Sequence, residues 1–141
     1  MQTLRPQSGA FLSVTIPGMQ QFLPIRTGNA AIDGADTRGW LIGHFVDEKF
    51  GLRHSEDVEI KWGTHPAGDT REEWVTGETR TAIGILISGS FELEFRDQKV
   101  LCDKPGDYVM WGPGTDHKWH APTDCVWLTI RWPSVAAHFA H

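Results

Sequence analysis

The stretch from Gly106 to Trp119, Gly-Asp-Tyr-Val-Met-Trp-Gly-Pro-Gly-Thr-Asp-His-Lys-Trp, restricts the fold more than any other. Tyr108 to Trp111 is a short run of β-branched and aromatic residues, and Gly112-Pro113-Gly114 breaks it. Glycine supplies positive φ there, while proline fixes its own φ and donates no N–H. His117 then opens the next extended run. The pattern reads as strand, tight turn, strand, with an imidazole on the first residue after the turn. Such a turn aims a histidine into the space between two sheets.

Similar short strands recur along the chain. Phe11 to Ile16, Trp40 to Val46, Val58 to His65, Thr79 to Ser88, Phe91 to Phe95, Val100-Leu101 and Val126 to Trp132 read as strands. Gly28 to Gly39, Asp47 to Asp57 and Ala67 to Glu78 read as loops or turns. Phe91, Leu93 and Phe95 alternate with Glu92 and Glu94, the mark of a half-solvated strand. Thr79 to Ser88 is apolar on both faces and belongs inside a sheet. Fifteen Gly and eight Pro in 141 residues suit such a turn-rich all-β chain.

Two stretches resemble the cupins. Gly106, Asp107, Pro113, Gly114 and His117 match the second cupin motif, with Gly112 where many members carry a first proline. Ile83 to Phe95, an apolar strand, Gly89 and an alternating strand, resembles the second half of the first motif. The resemblance covers about residues 56 to 132. It implies a small single-domain protein of the RmlC-like type, a double-stranded β-helix (jelly-roll barrel). The barrel is expected over residues 35–133, with an N-terminal extension over 1–34 and a tail over 134–141 that forms one helical turn. Residues 1–10 are expected to lie loosely on the surface. Open jelly rolls leave strand edges, and the resemblance implies that Phe11 to Ile16 pairs across a homodimer.

The resemblance also implies a metal set: His-x-His and a Glu from the first motif and a His from the second, binding Fe, Mn, Zn, Ni or Cu. Here the glutamate position falls on Ala82, and Gly63 and His65 take the places of His-x-His if the loop over residues 66–78 is an insertion. A divalent metal would therefore rest on His65 and His117, with His44, Glu73 or Glu78 as substitutes. That set is short of the usual three or four ligands.

Strand alternation places Lys61 on the face of His65, about 13 Å along an extended strand, with Gly63 between them leaving room for a ligand. Arg131 shares a face with Trp127 and Thr129. A buried lysine needs either a structural partner, for which Glu59 is the first candidate, or an anionic ligand. Trp62, Trp111, Trp119 and Trp127 are candidate walls of a cavity. The expected ligand-binding set is Lys61, His65, His117, Trp119 and Arg131.

Three readings stay open: a domain that binds a small anionic or sugar-like ligand, a metal-dependent dioxygenase or isomerase using His65 and His117, and a metal-free enzyme of the sugar-epimerase type with a histidine as base. The missing glutamate at Ala82 favours the first. The net charge of −5, without a Lys/Arg cluster, argues against nucleic acid and anionic membranes. No apolar run approaches the ~20 residues of a membrane span, and Phe11 to Ile16 is too short for a secretory signal, so a cytoplasmic location is expected. Cys102 and Cys125 are expected to stay unpaired in a domain that needs no staple.

Overall fold

The computed structural model describes residues 11–16 and 19–136. Ten strands form three antiparallel sheets. Phe11–Ile16 (β1) pairs with Met19–Pro24 (β2). A five-stranded sheet runs in the order Trp40–Ile42 (β3), Glu59–His65 (β4), Cys125–Trp132 (β10), Thr81–Ser88 (β5) and Tyr108–Trp111 (β8). A three-stranded sheet consists of Lys99–Cys102 (β7), Phe91–Phe95 (β6) and His117–His120 (β9). The last two sheets face each other as the two walls of a jelly-roll barrel.

The core follows from alternation. Phe91, Leu93 and Phe95 of β6 point inward and are buried. They meet Ala82, Leu86, Val109, Trp111 and Trp127 from the opposite sheet. The Phe91 ring lies 4.6 Å from Trp127, and Phe95 packs edge-on to Trp111 at 5.9 Å. Burying such side chains contributes roughly 1.5–3 kcal/mol each, which offsets the ordering of short strands. Cys102 and Cys125 are buried free thiols in this core, and burial pushes both above the ordinary thiol range.

Several boundaries differ from the sequence expectations. Gly28 to Gly39 is not simply loop: Asn29 caps a short helix, Ala30–Asp33 (α1), by accepting from the Ala31 and Ile32 N–H groups, and a 3-10 turn follows at Ala35–Thr37. Glu48–Arg53 forms 3-10 turns kinked at Gly51. The strand expected over Trp40 to Val46 ends at Ile42. A register shift there sets Trp40 opposite Lys61 but Ile42 opposite Ile60, so the face shared by Trp40, Ile42, His44 and Val46 on paper is broken by a bulge. Met19–Pro24 gave no strand signal because Gln20-Gln21 and Pro24 interrupt its apolar pattern. The expected loose surface position of residues 1–10 lies outside the described residues. Residues 134–136 are not helical, and the rest of the tail lies outside the described residues.

Loop 66–78 does not hang free. It runs beside β9 as a further irregular strand, with Arg71 N–H donating to Trp119 O, Val75 and His117 exchanging backbone bonds, and Ala121 N–H donating to Asp69 O.

Gly89 turns the chain from β5 into β6 with φ +78°, and a Cβ there would lie 2.0 Å from Asp124 O. Gly89→Ala is therefore expected to lower unfolding free energy by roughly 1–3 kcal/mol in chemical denaturation. A change below the error of the measurement would show that this turn relaxes freely.

Candidate functional site

The barrel encloses a cavity of about 790 Å3, within the usual range for small-molecule sites. Strands β4 and β10 supply its charged wall. Glu59, Lys61, Gly63 and His65 line it from β4, and Trp127, Thr129 and Arg131 from β10, as alternation requires. The antiparallel register sets Arg131 directly opposite Glu59 and Thr129 opposite Lys61. His117 and Trp119 enter from β9, so His65 and His117 face one cavity. Trp111 and Trp127 also face it, while Trp62 lies on the other face of β4 and is not a wall.

The expected Lys61–Glu59 pair does not form. Glu59 is fully buried. It accepts from Arg80 Nη1 at 2.9 and 3.0 Å, from Arg131 Nε at 2.9 Å, and from Ser134 Oγ at 3.0 Å. A cross-strand partner directly opposite reaches a carboxylate better than a same-strand neighbour two residues away. Arg80 also grips buried Glu78 through Nε at 2.5 Å and Nη2 at 2.7 Å. Burial alone would raise the Glu78 carboxyl, but the hydrogen bonds and charge of Arg80 outweigh it and hold Glu78 below the ordinary range.

Lys61 is thus left without a hydrogen bond or ion pair among the described residues. Its Nζ lies 5.8 Å from the Trp40 ring centroid, and the Arg131 guanidinium lies 4.3 Å from the same ring. Burial, then the charges of Arg131 and Arg38, push the Lys61 amine below its ordinary value. Arg38 sits in the left-handed region, φ 55° and ψ 37°, an uncommon conformation for a residue with a side chain. Arg38, Lys61, Arg71, Arg80 and Arg131 face the cavity against Asp36 and Glu59. The wall thus carries more cationic than anionic side chains, with Glu78 beside it paired to Arg80.

His65 is buried and has a carboxylate partner. Its Nδ1 is 2.8 Å from Asp69 Oδ2. A carboxylate only accepts, so Nδ1 donates to it, and in this tautomer the lone pair lies on Nε2. A Cβ at residue 63 would lie 2.9 Å from that Nε2, so glycine leaves it unobstructed. The ring packs against Trp119 at 4.7 Å and Phe91 at 5.1 Å. His117 is also buried; burial holds it below its ordinary value, and its Nδ1 lies 3.3 Å from Thr115 O. Asp116 is not its partner and pairs instead with Arg96.

The donors do not fit a metal centre of three or more ligands. Ala82, at the expected carboxylate position, is fully buried opposite Trp111. His44 Nδ1 is engaged with Ser134 Oγ at 2.8 Å, Glu78 with Arg80, and Glu73 is exposed. Among the described residues no three His, Cys, Asp or Glu side chains gather as a metal site.

Asp69, Arg71 and Arg80 join the site without a clear sequence signal. Asp69 and Arg71 lie in the polar loop, where strand alternation assigns no face, and Arg80 falls in the expected strand Thr79 to Ser88, which in the structure begins one residue later at Thr81. The only hint was Asp69 four residues after His65, too common a spacing to single out.

No protein-family model matches the sequence, and no curated protein matches it. Solved structures do resemble it. KdgF from Halomonas sp. is 23% identical with a TM-score of 0.52, over 57% of this chain and 73% of that one. A cupin superfamily protein from Desulfitobacterium hafniense is 20% identical with a TM-score of 0.50, over 55% and 69%. A conserved protein of unknown function from Streptococcus pyogenes is 16% identical with a TM-score of 0.50, over 57% and 68%.

Arg80→Met would leave buried Glu78 without its guanidinium partner and Glu59 with only Arg131 and Ser134, and is expected to cost about 3–5 kcal/mol at neutral pH. In the wild type the depressed Glu78 carboxyl contributes stability that is present above its unfolded pKa and lost as pH falls through the lower folded value. Without Arg80, burial raises that carboxyl, and the sign reverses: the variant's deficit should shrink as pH falls toward the carboxylate range. Denaturation curves across pH check both; a deficit independent of pH would overturn the assignment.

Proposed function

With the cupin fold of this chain as premise, we propose that the barrel binds a small anionic, sugar-like ligand. The observation that carries this reading is Lys61, half-buried in the cavity with no carboxylate partner because Arg80 and Arg131 take up Glu59. A desolvated cation without a partner is unfavourable, and an anionic ligand relieves it. Arg38 and Arg71 add charge at the same cavity, and Trp40, Trp119 and Trp127 supply flat apolar walls for a sugar-like body. Among the described residues no helix is long and apolar enough to cross a membrane.

A thermal-shift screen with small carboxylates and sugar acids tests the reading. A ligand a hundredfold above its Kd should raise the Tm by about 5–10 °C. Lys61→Met should lose that rise. Equal stabilisation of both proteins, or none across the panel, would remove Lys61 from the site.

One observation favours a second reading, in which the barrel is a metal-free, epimerase-type enzyme. The Asp69–His65 pair is arranged as a general base, with the carboxylate fixing the tautomer and Nε2 open above Gly63. A ligand from the screen, incubated in D2O, should then exchange a carbon-bound hydrogen. Asp69→Asn should slow that exchange about a hundredfold while keeping the thermal shift. Exchange at the wild-type rate would leave binding as the only role of the pair. A metal-dependent reaction at His65 and His117 has less support, because no third donor joins them.

A further inference from the structure

Lys61 differs from the other lysines of the chain. Lys49, Lys99 and Lys104 are exposed, and Lys118 stands over Trp74 at the surface of the opposite sheet. Lys61 alone lines the cavity. Its neighbours are arranged to disfavour its charge. Arg131 is diagonal to it across the β4–β10 pair, and both stand over the Trp40 ring. Glu59, two residues away on the same face, is committed to Arg80, Arg131 and Ser134. Of the charged groups around the amine, burial apart, Arg131, Arg38 and Arg71 lower its proton affinity and only Asp69 raises it. A lysine so placed gives up its proton more readily than an exposed one, and the amine it then presents is the nucleophile of imine chemistry.

The same arginines define what the amine would meet. Arg38 has no hydrogen bond or ion pair among the described residues. Arg131 Nη1 makes no hydrogen bond there, with Glu78 Oε2 3.8 Å away. Arg38, exposed at the cavity rim, and the free Nη1 edge of Arg131 beside the Lys61 amine suit a carboxylate whose adjacent carbon is electrophilic. We propose that Lys61 is an imine-forming amine and that the cavity takes 2-oxo acids, with Arg38 and Arg131 holding the carboxylate and Nζ attacking the neighbouring carbonyl carbon. The proposal rests on the anionic-ligand reading of the same cavity. In the reaction the Nζ lone pair forms the N–C bond, the carbonyl oxygen takes up the two protons lost by nitrogen, and the C–O bond breaks to release water. No oxidant or reductant is needed.

The test uses the intact protein with pyruvate and sodium cyanoborohydride at neutral pH, followed by digestion and mass spectrometry. Cyanoborohydride delivers hydride to the imine carbon and fixes a carboxyethyl group on the lysine that formed it. The expected result is near-complete modification of Lys61 while Lys49, Lys99 and Lys104 stay mostly unmodified. Lactate, which has the carboxylate but no carbonyl, should slow that modification by competition. If lactate raises the Tm yet Lys61 reacts no faster than Lys49, the imine proposal fails and the binding site stands. If lactate and pyruvate both leave the Tm and Lys61 unchanged, the imine proposal fails, and the anionic-ligand reading fails with it when the sugar acids of the panel also leave the Tm unchanged. Arg38→Ala should slow modification of Lys61 several-fold without altering that of the exposed lysines; an unchanged rate would remove Arg38 from the receptor. Because modification is mapped on the wild-type chain, the outcome does not depend on whether a Lys61 variant folds.

Discussion

The interior of this barrel is organised by one guanidinium. Arg80 bridges Glu59 and Glu78, two carboxylates that are otherwise buried without solvent, and Arg131 and Ser134 complete the set. Charges of this kind persist away from water only when each is matched by close, well-aligned partners. The set also ties separate parts of the chain together. Glu59 opens β4, Arg80 leads into β5, Arg131 lies one residue before the end of β10, and Ser134 accepts the His44 N–H beyond β3.

That matching decides the character of the cavity. Because both carboxylates are consumed by arginines behind the wall, Lys61 keeps its place without a counter-ion, and Arg38 and Arg71 add to the imbalance. The chain as a whole is acidic at −5, so the positive cavity is a local property of where the side chains fall. His65 sits at the other end of the same strand under different control, with Asp69 fixing its tautomer. The β4 strand thus presents two distinct chemistries separated by a glycine.

The fold was legible because it rests on repeating local signals. Strand alternation at Phe91 to Phe95 and the Gly-Pro-Gly turn before His117 are enforced by backbone geometry and survive in any context. The inward set of β4 and β10 was equally readable, since a period of two leaves no freedom once one residue is placed. Ion pairing was not. Lys61 and Glu59 share a face, and only the register of β10, which the sequence does not specify, brings Arg131 directly opposite Glu59. Trp62 failed as a wall for the reason its neighbours succeeded, being odd-numbered from Lys61 by one step. Asp69 and Arg71 were illegible because an irregular segment has no period from which to assign a face.

That irregular segment joins the cavity lining to the sheet through its main chain. The residues that orient His65 and line the rim, Asp69, Arg71 and Val75, ride on a stretch fastened mainly by backbone bonds to β9. Backbone bonds are indifferent to side-chain identity. A side-chain change at Arg71 or Val75 therefore alters the cavity lining while the phenylalanine and tryptophan interior beneath keeps its packing.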